Sequence, residues 1–261
     1  MIVGLLVLGF MNQKRNKILC LFILKLLIFF SIIGHCIAAE KIKVGYYELP
    51  PYISAELERY GIVGLIFEKA LENQAVLQYI AVPAVRLPYL LNSEEIMVGT
   101  TTIDNLCANP EYKCSEAIKA ISVILAYKAE SNEFDNVASL EELKTHLNDI
   151  GQTKENILFD AQGKQIKFRE IRNIQQGLDL LAMGRLKGVL MNEEVFDFKT
   201  ARKEINLSVK KTKNLTLVPL RIIVKSNSKY QWIIKNIDDY MQKNTYDKIW
   251  FDYYVNSAVQ K

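Results

Sequence analysis

The residues of this chain that could do chemistry are mostly hydroxyls, aromatics and amides. Tyr46, Tyr47, Glu48 and Tyr52 lie in one short segment, Lys41-Ile42-Lys43-Val44-Gly45-Tyr46-Tyr47-Glu48-Leu49-Pro50-Pro51-Tyr52. Three successive hydroxyls, Thr100, Thr101 and Thr102, follow the apolar run Ile96-Met97-Val98-Gly99, and Gln152-Thr153 follows Asp149-Ile150-Gly151. Such groups stack on and hydrogen-bond a polar ligand, and do not by themselves cleave bonds. The acid–base candidate is Glu48, since a carboxyl buried among Tyr46, Tyr47 and Tyr52 would have its pKa raised into a useful range. Each feature also has a plain alternative. The glutamate would be a solvated loop residue, the aromatics would pack a loop, and the threonines would be ordinary strand residues or helix caps. From Glu40 onward there is one histidine, His146, with no Gly-x-Ser-x-Gly elbow and no metal-binding cluster, so no catalytic constellation stands out.

The elements that must position these groups are legible from periodicity. Ile42, Val44 and Tyr46 alternate with Lys41, Lys43 and Gly45, which predicts a half-buried strand that ends at the two prolines. Gly61 and Gly64 open a helix carrying Val63, Ile66, Phe67, Ala70 and Leu71 on one face. Leu77–Val82 reads as a second strand, Ala84–Leu91 as a short helix interrupted by Pro88, and Ile96–Gly99 as a third strand. Strands alternating with helices imply a parallel sheet, and open sheets of this kind bind ligands beyond the carboxyl ends of their strands. Ile118–Tyr127 is a further strand, and Ser139 with Glu142 forms a capping box that opens a helix. Asp149–Thr153 is expected to be a strand-to-helix corner whose amides could meet an anion. A second α/β unit follows: a strand at Ile166–Ile171, a helix at Asn173–Met183 ending on Gly184, and a buried strand at Gly188–Asn192. Leu215–Lys225 is strand-like, and two helices rich in aromatics complete the chain.

Composition limits the partners. Half of the 261 residues are apolar and the formal charge is +4. Residues 1–39 hold Lys14, Arg15, Lys17 and Lys25 and no acid; what remains has 29 basic and 29 acidic residues, with no general attraction to nucleic acid. That first segment, 1–39, reads as a secretory signal whose functional start is Met11. It has a basic Asn12–Lys17 region, an apolar run from Ile18 to Gly34, and Ile37-Ala38-Ala39 before a cut near Ala39–Glu40. The rival is an uncleaved anchor, because Ile18–Ala39 is about long enough to span a bilayer. Export to the periplasm agrees with the cysteines: Cys107 and Cys114 could close a small disulfide in an oxidising compartment.

Taken in order, these parts resemble the extracellular solute-binding proteins of family 3, with the type II periplasmic-binding-protein fold. The likeness rests on Val-Gly-Tyr-Tyr-x-x-Pro-Pro-Tyr and on Gly61-x-x-Gly-Leu-Ile-Phe-Glu-Lys-Ala. It also rests on Ser-Leu-Glu-Glu-Leu-Lys, on the run Leu178–Leu190 and on the closing aromatic helix. The resemblance implies an α/β protein of two lobes, each a mainly parallel sheet flanked by helices, joined by two hinge crossings. Lobe 1 would be 40–121 plus 226–261 and lobe 2 would be 130–215, with crossings at 122–129 and 216–225. It implies ligand contacts from Tyr47, Tyr52, Arg86, Thr100, Thr101, Thr102, Gln152, Thr153 and Asn192. The expected protein is a monomer without cofactor or metal, not an enzyme, that binds a small polar ligand and partners an inner-membrane ABC transporter. Two features depart from the family's amino acid binders. Tyr112, in Asn109-Pro110-Glu111-Tyr112-Lys113, stands where an arginine clamps the α-carboxylate. Lys187 or Gly188, and then Asn192, stand where aspartates would be, the latter holding the α-amine. Lys113, Arg86 or Glu193 are the available substitutes, and an ordinary α-amino acid is not the expected ligand. The alternatives are a sensing or protein-interaction module with a degenerate cleft, and a lyase- or dehydratase-like enzyme using Glu48.

Overall fold

The computed structural model describes residues 40–259 except 73, 155–157, 160–163 and 206–207. The expected signal segment, 1–39, lies outside the described residues. No helix among those described is long and apolar enough to cross a membrane.

The first half opens with strand β1 (Glu40–Tyr46), which buries Ile42, Val44 and Tyr46 as its alternation requires. A loop leads to helix α1 (Gly61–Ala70), then come β2 (Ala75–Ala81), a 3-10 turn (Ala84–Arg86), helix α2 (Leu87–Asn92) and β3 (Val98–Thr101). Pro88 does not interrupt α2. It sits in the first turn, where a missing N–H costs nothing. Helix α3 (Asp104–Ala108) and β4 (Tyr112–Cys114) carry Cys107 and Cys114, which form a disulfide. The two cysteines therefore bridge a helix and a strand rather than two points of one loop.

Strand β5 (Lys119–Lys128) crosses to the second half, which holds a 3-10 turn (Glu141–His146) and β6 (Ile150–Thr153). Next come the small hairpin β7 (Leu158–Phe159) and β8 (Gln165–Ile166), and β9 (Arg169–Ile171). Helix α4 (Ile174–Ala182), β10 (Gly188–Asn192), α5 (Glu193–Ala201) and β11 (Val209–Lys211) complete it. Strand β12 (Thr216–Lys225) returns to the first half, where helices α6 (Gln231–Lys243) and α7 (Tyr246–Val259) pack. The helix expected after Ser139 is only that 3-10 turn. Ser139 donates to Glu142 Oε1 at 2.8 Å, so the glutamate is held by the hydroxyl rather than capping in the reciprocal manner. Residues 149–153 are not a strand-to-helix corner: β6 is an interior strand, parallel to both β10 and β9.

Strand order is β2-β1-β3-β12-β5-β10-β6-β9, with β4 also on β12 and β11 on β5. The pairs β1–β3, β10–β6 and β6–β9 are parallel, whereas β12 and β5 run against their neighbours. One core gathers Ile42, Val44, Ile66, Val98, Ile222 and Ile237, so the C-terminal helices belong with the first half. In the second half β5 feeds opposite faces in turn, with Val123, Leu125 and Tyr127 in one cluster and Ile124 and Ala126 in another. Membership changes from the first core to the second between Ile121 and Val123 on β5, and between Leu220 of β12 and Leu215 just before it.

The disulfide closes a short loop, its cysteines seven residues apart. Replacing Cys107 and Cys114 by serine should cost about 2 kcal/mol. For a chain of this size the thermal midpoint should fall by about 4–8 °C, which calorimetry of the oxidised protein and the variant would show.

Candidate functional site

A cleft of ≈ 770 Å³ lies between the two halves. Tyr47 after β1, Val82 after β2 and Thr102 after β3 line one side. Thr153 of β6, Arg172 after β9 and Asn192 of β10 line the other. All six stand at the carboxyl ends of strands, where helix N-termini and loop amides converge in open α/β sheets.

The tyrosine loop is held from within. Leu49 and Ile53 exchange backbone hydrogen bonds of 2.8 and 3.0 Å, and Val63 N of α1 donates to the Tyr52 carbonyl at 3.0 Å. The glycines at the start of α1 permit this approach. Gly61 has φ +83, and a Cβ there would meet the Tyr52 carbonyl oxygen at 2.7 Å. A Cβ on Gly64 would overlap the Arg59 carbonyl. Tyr47 is thereby turned into the cleft, where its hydroxyl shares a 2.7 Å hydrogen bond with Thr102 Oγ1. Both residues are buried.

Of the nine residues expected to meet a ligand, the cleft brings together Tyr47, Thr102, Thr153 and Asn192. Tyr52 turns the other way, fully buried with its ring 6.4 Å from those of Tyr246 and Trp250. Thr100 and Thr101 are strand residues, because β3 runs two residues further than its apolar run suggested. Thr101 Oγ1 accepts from Ile103 N at 3.0 Å, and Thr100 is sealed opposite Ile222. Gln152, inside β6, accepts from Phe168 N at 3.3 Å. Arg86 is exposed and lines no part of the cleft. Neither do Lys113, exposed on β4, nor Glu193, which pairs with Lys211 at 3.0 Å.

Glu48 does line the cleft, but it is exposed and accepts from Ala55 N at 3.2 Å. The burial that would suit it to acid–base work is missing. Three lining charges were not expected from the sequence: Glu56, Arg172 and Lys199. Arg172 had a usable signal, since it directly follows an expected strand and directly precedes the helix beginning at Asn173.

Behind the cleft, burial keeps several tyrosines protonated. Burial first, and then the charge of Glu48, pushes Tyr46 up to about 12. Burial and the neighbouring Asp135 do the same to Tyr127, also to about 12. Tyr52 is raised as well, by burial and by Tyr246 and Glu194 beside it.

These placements have measurable consequences for stability. Thr101→Val leaves the Ile103 N–H without its acceptor and should cost about 1–3 kcal/mol in a denaturant titration. Tyrosines in the unfolded chain ionise near 10.0 while Tyr46 and Tyr127 hold their protons to about 12. Their contribution is therefore intact below pH 10 and is lost as pH rises from 10 towards 12. Denaturation midpoints measured across that range should fall, and those of Tyr46→Phe should fall less steeply.

No family model matches the sequence, and no curated protein matches it. Solved structures do. A GluR0 ligand-binding core in complex with L-glutamate superposes with a TM-score of 0.64 at 17% identity, over 83% of this chain and 97% of that one. An ancestral arginine-binding protein bound to arginine gives 0.61 at 19%, over 82% and 97%. An arginine 3rd transport system periplasmic binding protein from Legionella pneumophila gives 0.59 at 16%, over 82% and 99%. At these identities the likeness is one of fold, the two-lobe architecture of type II periplasmic binding proteins.

Proposed function

We propose that this chain is a periplasmic solute-binding protein that encloses a small polar ligand between two lobes and delivers it to an ABC-type transporter. The observation that carries this reading is the cleft itself, ≈ 770 Å³ and lined from both halves by strand-end hydroxyls, amides and charges. A volume of this order suits a small organic solute. Lobe 1 is taken as 40–121 with 226–261 and lobe 2 as 130–215. The crossings are taken as 122–129 and 216–225, a reading supported by the change of core membership beside Ser122 and Leu217–Val218. Hinge closure about those two strands would enclose the ligand.

Two of the similar structures hold glutamate and arginine, which supports a solute of amino-acid size. An ordinary α-amino acid is the less suitable ligand. Tyr112, at the position of the expected arginine, is buried with its hydroxyl donating to the Pro88 carbonyl at 3.3 Å. Asn192 brings no charge to an α-amine. An enzyme using Glu48 is not favoured, given that carboxyl's exposure.

A thermal-shift screen of the purified protein against organic acids, amino acids, polyamines, short peptides and sugars tests the proposal. A ligand at about 100 times its dissociation constant adds roughly 2.7 kcal/mol. That should raise the midpoint by about 5–10 °C. A protein unmoved by every class would overturn solute binding and turn attention to a protein partner.

A further inference from the structure

We infer that Arg172 is the anion anchor of the cleft, so that the ligand is a dipolar compound bearing a carboxylate which the second half, not the first, takes hold of. The inference rests on the solute-binding reading above and adds the ligand's charge pattern to it.

Four charged side chains line the cleft, and they are sorted by side. Glu48 and Glu56 come from the first half, Arg172 and Lys199 from the second. Lys199 is paired with Glu204 at 2.8 Å, a carboxylate that also takes Arg202 at 2.9 Å, so its ammonium is tied to its own half. Among the described residues, Arg172 makes no ion pair, and neither acid has a cationic partner. One wall therefore offers an uncompensated cation and the other uncompensated carboxylates.

Arg172 is also held in position. Asn173 caps α4 by accepting from Gln176 N at 2.8 Å, while the Gln176 side chain reaches back to accept from Arg172 N at 2.6 Å. This reciprocal cap fixes the arginine backbone at the cleft rim. The N–H groups of Ile174 and Gln175, in the first turn of α4, have no intrahelical acceptor, and both residues line the same cleft. An arginine and two such amides lining one cleft suit a carboxylate, which can take a two-pronged bond from a guanidinium and further bonds from a helix start.

A second observation is independent of the helix. Asn192 is 7% exposed and lines the cleft, yet its Oδ1 has no hydrogen-bond partner. A buried acceptor of this kind needs a donor, and a ligand ammonium, amide or hydroxyl supplies one. The lining discriminates among charge types. A plain dianion meets Glu48 and Glu56, a simple amine meets Arg172, and a sugar leaves all three uncompensated. A molecule with a carboxylate at one end and a cationic donor elsewhere satisfies both walls.

The test uses the purified protein and the straight-chain ω-amino acids from glycine to 6-aminohexanoate, beside the hits of the broader screen. Each is compared by calorimetry with its carboxamide and with the alkylamine of equal length. At least one carboxylate member should bind, with its carboxamide at least tenfold weaker. Arg172→Met should weaken the carboxylate about 10- to 100-fold and leave the carboxamide unchanged, and Arg172→Lys should recover part of the loss. Arg172 is exposed, so the unliganded melting midpoints of the variants should match the parent and separate binding from folding. Arg172→Met binding carboxylates as tightly as the parent would overturn the anchor while leaving solute binding intact. So would ligands confined to sugars or simple amines. A parent protein that binds nothing would overturn both.

Discussion

Everything in this structure depends on one antiparallel pairing, β5 against β12. Each strand is ten residues long and serves both halves. Along β12, residues 216–220 pair with β5 and residues 221–224 with β3, so the same strand closes the first sheet and extends into the second. Val123 is the shared point: it pairs with Thr216 on one side and with Asn192 on the other. The hydrophobic clusters of both halves thus form on a single continuous ladder, and the cleft opens where the parallel strands of each half present their carboxyl ends. Apolar burial, which supplies most of the drive to fold, acts separately on each side of that ladder.

Close packing of the sheets against their helices determines what can reach the cleft. Tyr47 and Tyr52 are five residues apart in one loop and both are buried, yet the first also lines the cleft while the second packs beside Tyr246 and Trp250. The loop's internal bridge and its seat on the glycines of α1 impose that division. The second half also reaches across, since Val195 of α5 packs into the core of the first. Contact between the halves is therefore apolar as well as polar.

Much of the fold was legible in the sequence, and for a plain physical reason. Period-2 burial in β1, the apolar face of α1 and the helix that begins at Asn173 are local properties of local residues, and the structure has them. The order of parts carried the family resemblance, and the resemblance supplied the two-lobe fold. The misreadings came where local pattern and long-range pairing compete. Thr100 and Thr101 look like a strand edge, but antiparallel partners on β12 carry β3 through them. Asp149–Thr153 looks like a corner, but β10 and β9 enclose β6 on both sides. For the site, Tyr47, Thr102, Thr153 and Asn192 stand at strand ends that line the cleft. Strand ends do not tell which way Tyr52 turns, and Arg172 lies between two elements rather than in a motif.

The strand order gives the cleft an unequal geometry. Asn192 sits on β10, immediately beside β5, whereas Arg172 follows β9, three strands away. With neighbouring strands about 4.8 Å apart, their lever arms about β5 differ threefold, roughly 5 Å against 14 Å. A swing of about 10° would carry the arginine some 2.4 Å and the asparagine less than about 1 Å. In such a swing Asn192 would stand near the fulcrum and Arg172 at the tip of a jaw.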